Sequence, residues 1–164
     1  MIRRRLLVLA GAPVLLAGCG FELRRAPHFA FNTIYIGSAP SSALGNELKR
    51  SIASSDGVVV VPGMASNPQV VMDVLGEQRE KAVVGLNASG QVREFELRLR
   101  FKFKLRTPQG KELIPETELL QQRDISYNET AALSKEAEEN LLYRDMQSDL
   151  VQQLMRRLAA IKSL

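Results

Sequence analysis

The clearest pattern in the chain is the stretch "FELRLRFKFKLR", Phe95 to Arg106. Phe95, Leu97, Leu99, Phe101, Phe103 and Leu105 alternate with Glu96, Arg98, Arg100, Lys102, Lys104 and Arg106. Successive side chains of a strand point to opposite faces, so this period of two predicts a strand with one dry face and one wet face. "TPQG" (107–110) supplies a turn, and "KELIPETELLQQRDISY" (111–127) returns as the second arm of a hairpin. Pro115 has no N–H to give a ladder, so this arm is expected at a sheet edge or with a local irregularity.

Upstream, "TIYIG" (Thr33 to Gly37) reads as a strand. Ser41 or Ser42 can cap a following helix in which Leu44, Leu48 and Ile52 share one face, and Asp56-Gly57 ends it. Val58 to Val61 follows, and then Gln69 to Leu86, strand-like with an interruption at Gly76 that suits a bulge. "NASG" (87–90) is turn chemistry. After Asn128 the period changes. Leu142, Met146, Leu150, Leu154 and Leu158 step by four, which predicts an amphipathic helix of about 30 residues, about 45 Å long. The order β-α-β-β-β-α predicts an α/β two-layer sandwich, with two helices packed on one face of a four-stranded mixed sheet. The first crossover should be parallel and the later strands antiparallel. The other sheet face then carries the basic ladder.

The front of the chain has a separate character. Three arginines (Arg3, Arg4, Arg5) precede an apolar run from Leu6 to Leu16, too short for a membrane-spanning helix and suited to a signal peptide. The run ends Leu16-Ala17-Gly18-Cys19, which resembles the lipobox of bacterial lipoproteins and explains a lone cysteine as a lipid attachment point. Several acyl chains on Cys19 would hold the protein stably on a membrane. Gly20, where an inner-membrane retention signal would have aspartate, favours the outer membrane by the same resemblance. The expected organisation is a removed signal peptide at 1–18, a lipidated tether at 19–32 and a single domain at 33–164. Loss of the three arginines leaves 19 Lys+Arg against 18 Asp+Glu, so the basic balance of the whole chain (22 against 18) argues for no nucleic-acid partner.

An enzyme should bring reactive groups together, and the sequence offers few. His28 is the sole histidine and falls in the tether, no phosphate loop or metal-ligand spacing is present, and Glu116 with Glu118 suits cross-strand pairing better than catalysis. The chain is expected to have no catalytic residue, no metal and no cofactor beyond the lipid on Cys19. The ladder Arg98, Arg100, Lys102, Lys104 and Arg106 has two readings. Either Glu112, Glu116 and Glu118 of the neighbouring arm neutralise it, or it is a surface for a polyanion or an acidic partner. A second candidate lies where the 87–90 turn, Arg93 and the start of the last helix meet, with Lys135 in the first helical turn.

The segment Cys19-Gly20-Phe21-Glu22-Leu23-Arg24 resembles the "CGFxLR" start of the LPS-assembly lipoproteins, the LptE family. The strand and Leu-x3-Leu helix, the Gly90-Gln91 turn, "EFEL", "IPET" and "ALSKEAEENLLYRDM" extend the resemblance over the mature chain. It implies an α/β sandwich that plugs the large outer-membrane β-barrel LptD, supports its assembly and helps insert lipopolysaccharide (LPS) into the outer leaflet, with direct contact to LPS. The chain would face the periplasm and the barrel lumen. The family's lysine in "ALxK" falls on Lys135. Its basic residue beside the turn has no counterpart, because Ala88 stands there, and Arg93 is the available substitute. The alternative is a periplasm-facing lipoprotein that scaffolds envelope proteins without binding LPS.

Overall fold

The computed structural model describes residues 28–164; the expected signal peptide, Cys19 and the expected tether as far as residue 27 lie outside the described residues. The elements are β1 (Thr33–Gly37), α1 (Ala43–Ala53), β2 (Val59–Val61), β3 (Val70–Leu86), β4 (Val92–Arg106), β5 (Glu112–Ser126) and α2 (Ala132–Ala159). Short 3-10 turns lie at Met64–Ser66 and Glu129–Ala131. The sheet order is β2-β1-β3-β4-β5, with β1 parallel to both β2 and β3 and the two long hairpins antiparallel.

The sheet therefore has five strands rather than the expected four. The additional one is β2, which pairs Thr33↔Val59 through Tyr35↔Val61. The four valines between Gly57 and Pro62, three of them in β2, are too few and too uniform to show an alternation, and their pairing depends on where α1 delivers the chain. The mixed sheet and the two helices packed on it are otherwise as the pattern predicts.

The alternation of β4 is realised fully. Leu97, Leu99, Phe101, Phe103 and Leu105 are wholly buried, against Leu44, Leu48 and Ile52 of α1 and Met146, Leu150, Leu154 and Leu158 of α2. Burial of each such side chain stabilises the fold by roughly 1.5–3 kcal/mol, so this single strand face is a major source of stability. The Ser42 hydroxyl caps α1 by accepting from the Gly45 N–H at 2.7 Å. The irregularity expected at Gly76 is a register shift between Val74 and Gly76. β5 is an edge strand, and its register shifts around Pro115. Residues 28–32, assigned to the tether, contribute Phe29 and Phe31 to the core, with ring centroids 5.3 Å apart.

The topology gives the domain two ends. At the near end, the starts of β1, β3 and β5 and the close of β4 lie in one row (Ile34↔Val70, Val71↔Arg106, Arg106↔Glu112), and the chain enters there through His28 to Asn32. The β4–β5 turn closes at Gly110, whose φ of 96° suits glycine alone. At the far end, the β3–β4 hairpin turns through Gly90 (φ 78°), and α2 begins beside the close of β5. α2 then runs back to the near end, where residues 160–163 lie against the start of β5.

Candidate functional site

The wet face of β4 places its five basic side chains in register with carboxylates on both neighbouring strands. Arg98 pairs with Glu96 and, at 3.9 Å, with Glu80 of β3. Arg100 bridges Glu80 at 3.6 Å and Glu118 at 3.1 Å. Lys102 pairs with Glu116. Arg106 makes a forked contact to Asp73, through Nε at 2.7 Å and Nη2 at 3.3 Å, and Lys104 lies 4.0 Å from the same carboxylate. Two of the three glutamates expected on the neighbouring arm take part. Glu112 does not form an ion pair within 4 Å among the described residues, and Asp73 and Glu80 of β3 with Glu96 of β4 itself supply the rest.

The chemistry of these pairs follows from their contacts. The hydrogen bond from Lys102 holds the Glu116 carboxyl below the ordinary carboxylate range, and the same bond raises the Lys102 ammonium. Asp73 raises the Arg106 guanidinium through its hydrogen bond. Five cations answered by five carboxylates make a charge-balanced lattice. Any anion docking there must compete with a partner already in place at each position.

The far end gathers the second set of candidates. Tyr127 donates its N–H to the Arg93 carbonyl at 2.7 Å, which ties the start of β4 to the entry of α2. Lys135 Nζ donates to the Ser126 hydroxyl at 3.0 Å and pairs with Glu138 at 2.8 Å. Lys135 borders a recess of about 390 Å³ with Lys81, Phe95, Tyr127 and Glu139. Within it, Lys81 sits 4.3 Å above the Phe95 ring and bonds Glu139 at 2.6 Å. Arg93 lines a separate, smaller recess of about 190 Å³ beside Asn128 and Glu129. The two residues share an end of the domain but not a recess. Lys81 and Tyr127 were not singled out in the sequence; their place beside Lys135 depends on the β3–β4–β5 register.

Among the described residues no His/Cys/Asp/Glu group is arranged to hold a metal, and no helix is long and apolar enough to cross a membrane. The recesses that hold Lys135 and Arg93 lie at the far end of the sheet. The family model described as LptE, lipopolysaccharide-assembly, matches residues 31–158, which spans the whole sandwich from Phe31 to Leu158. The chain belongs to the LptE family. That family is one of lipoproteins without enzymatic activity or cofactor. The LPS-assembly lipoprotein LptE of Pectobacterium atrosepticum is 28% identical over 98% of this chain and 88% of its own length. Among solved structures, an uncharacterized lipoprotein B from Nitrosomonas europaea is 35% identical over 86% of this chain and 91% of that one, with a TM-score of 0.73. The rare lipoprotein B from Shewanella oneidensis, 22% identical over 79% of this chain and 95% of that one, shares the fold at a TM-score of 0.66.

Proposed function

We propose that this LptE-family chain is an outer-membrane lipoprotein, acylated at Cys19, that acts in lipopolysaccharide assembly as the plug and assembly partner of the LptD β-barrel. The observation that carries the reading is the family match across the entire sandwich, on a fold whose described surface offers charged faces rather than a catalytic cleft. A long sheet face with balanced ion pairs suits the polar lumen of a barrel, because it presents both signs at fixed spacing along β4. Contact with LPS phosphate is assigned to the far end, to Lys135 and Arg93, while Arg98, Arg100, Lys102 and Lys104, already paired within the sheet, are assigned to the barrel wall.

A tagged pull-down from detergent-solubilised outer membranes tests the partner. A single large β-barrel in near-equal amount is the expected result; recovery alone, or with soluble envelope proteins, favours the scaffold alternative. Lys135→Glu with Arg93→Glu tests the lipid contact. LPS binding should fall while barrel association survives, and unchanged LPS binding would remove these two residues from the reading.

A further inference from the structure

The near end carries a second basic cluster that the ladder and Lys135 do not include. Lys111 immediately precedes β5, Arg157 lies in the last turn of α2 and Lys162 follows that helix; all three are exposed and line one cleft of about 420 Å³. None of the three forms an ion pair within 4 Å among the described residues, whereas every cation of the ladder does. The floor of the cleft is apolar, made by Leu113, Ile114 and Ile161, which are partly buried against the core. One carboxylate opposes the cluster, Glu112 in the same cleft. The helix dipole explains cations in the last turn, Arg156 and Arg157. It does not explain Lys111 or Lys162, which lie off the helix.

The position of the cluster gives it an occupant. The described chain enters at this same end, with the Asn32 N–H bonded to the Gln69 side chain at 2.6 Å and the Gln69 N–H to the Thr33 hydroxyl at 2.9 Å. Phe29 lies ten residues after Cys19, a length that spans at most about 36 Å when fully extended. An acyl group on Cys19 would therefore keep the near end close to the leaflet that holds it. We propose that Lys111, Arg157 and Lys162 form a headgroup site for the anionic phospholipids of that leaflet, with the apolar floor taking the glycerol and upper acyl region. This rests on the lipoprotein reading for its orientation, but not for its chemistry. A basic patch beside a lipid anchor is a second membrane signal; it holds the near end at the rim beside the anchoring leaflet, with the far end directed away from that leaflet into the barrel lumen.

The test uses residues 19–164 with Cys19→Ser so that no lipid contributes; the core runs from Phe29 to Leu158 and lies entirely within them. Cosedimentation is measured with phosphatidylcholine vesicles containing or lacking phosphatidylglycerol. Binding should require phosphatidylglycerol and weaken as salt rises. Each cation near an anionic surface is worth roughly fivefold in partitioning, so Lys111→Gln with Lys162→Gln should lose about 25-fold. Lys111→Glu, Arg157→Glu and Lys162→Glu together should lose more than about 100-fold. Arg144→Glu, a reversal of an exposed cation midway along α2, should match the parent chain. Equal binding to both vesicles, or a triple variant that binds like the parent, overturns the proposal. Retention on LPS aggregates without retention on phosphatidylglycerol vesicles also overturns it, and assigns the cleft to LPS. Failure of the anchor reading shows separately, as an unacylated Cys19 in the mass of the protein recovered from membranes.

Discussion

The domain has two basic regions, and they are built differently. The ladder on β4 is embedded: its cations stand between two strands, each within reach of a carboxylate, on the back of the strand that contributes the most buried side chains to the core. The near-end cluster sits on element ends, with apolar side chains beneath it and no ion-pair partner within 4 Å for its three cleft-lining cations among the described residues. The difference teaches that a run of cations in a sequence does not mark a binding surface unless their counter-charges are located. In the ladder, attraction is largely spent within the sheet. At the near end it remains directed outward.

The most drastic way to break the ladder is from behind. Phe101 is fully buried between Glu77 of β3 and Leu119 of β5 in the register, on the face opposite Arg100 and Lys102. Phe101→Ala should cost about 3–5 kcal/mol in denaturant unfolding, because the cavity lies in the fully buried shared core. A loss under about 1 kcal/mol would mean that β4 is not the strand that organises the core.

Much of this was legible in the sequence, and the reasons are local. The alternation of β4 gave both of its faces, the Ser42 cap and the Leu44–Leu48–Ile52 spacing gave α1, and the four-residue steps gave α2. What was not legible needs register. Asp73 and Glu80 meet Arg106 and Arg98 only because β3 shifts by one at Gly76, and no single-strand pattern reveals such pairing. Glu112 faces Arg106 in the register, yet the guanidinium turns to Asp73 on the other side. The near-end cluster draws on two elements more than 40 residues apart, so its cations have no spacing to read. Phe29 and Phe31 carry no periodicity either, and only the closed core shows them to be part of it.

A smaller effect separates the two regions directly. Asp73→Ala removes both hydrogen bonds to Arg106 and the nearest carboxylate of Lys104, at a site only partly exposed. It should cost about 1–2 kcal/mol, since the guanidinium keeps its place with no counter-charge. Lys111→Glu with Arg157→Glu and Lys162→Glu should change stability by no more than about 0.5 kcal/mol, as expected for exposed groups without structural partners. If the ranking is inverted in thermal melts, the near-end cations are structural and the contrast between the regions fails.

The smallest effect is the most specific to the ladder. Glu116 is exposed, yet its contact with Lys102 holds its carboxyl below the ordinary range, while the same contact raises Lys102. A depressed carboxylate contributes stability that is complete above its unfolded value and is lost as pH falls through its folded one; the raised ammonium loses its share only as pH rises through its folded value at the alkaline end. The pair should therefore act across the neutral range and disappear on acidification below the ordinary carboxylate range. Carboxyl-carbon NMR should place the Glu116 midpoint below that of a free glutamate, and Lys102→Met should return it upward, with little change in the unfolding midpoint at neutral pH because both groups are solvated. Added salt should shift Glu116 upward in the parent chain and leave the Lys102→Met chain almost unmoved. A Glu116 midpoint indifferent to Lys102 would detach this rung of the lattice, and Lys102 would then join Lys111, Arg157 and Lys162 as a cation open to an external anion.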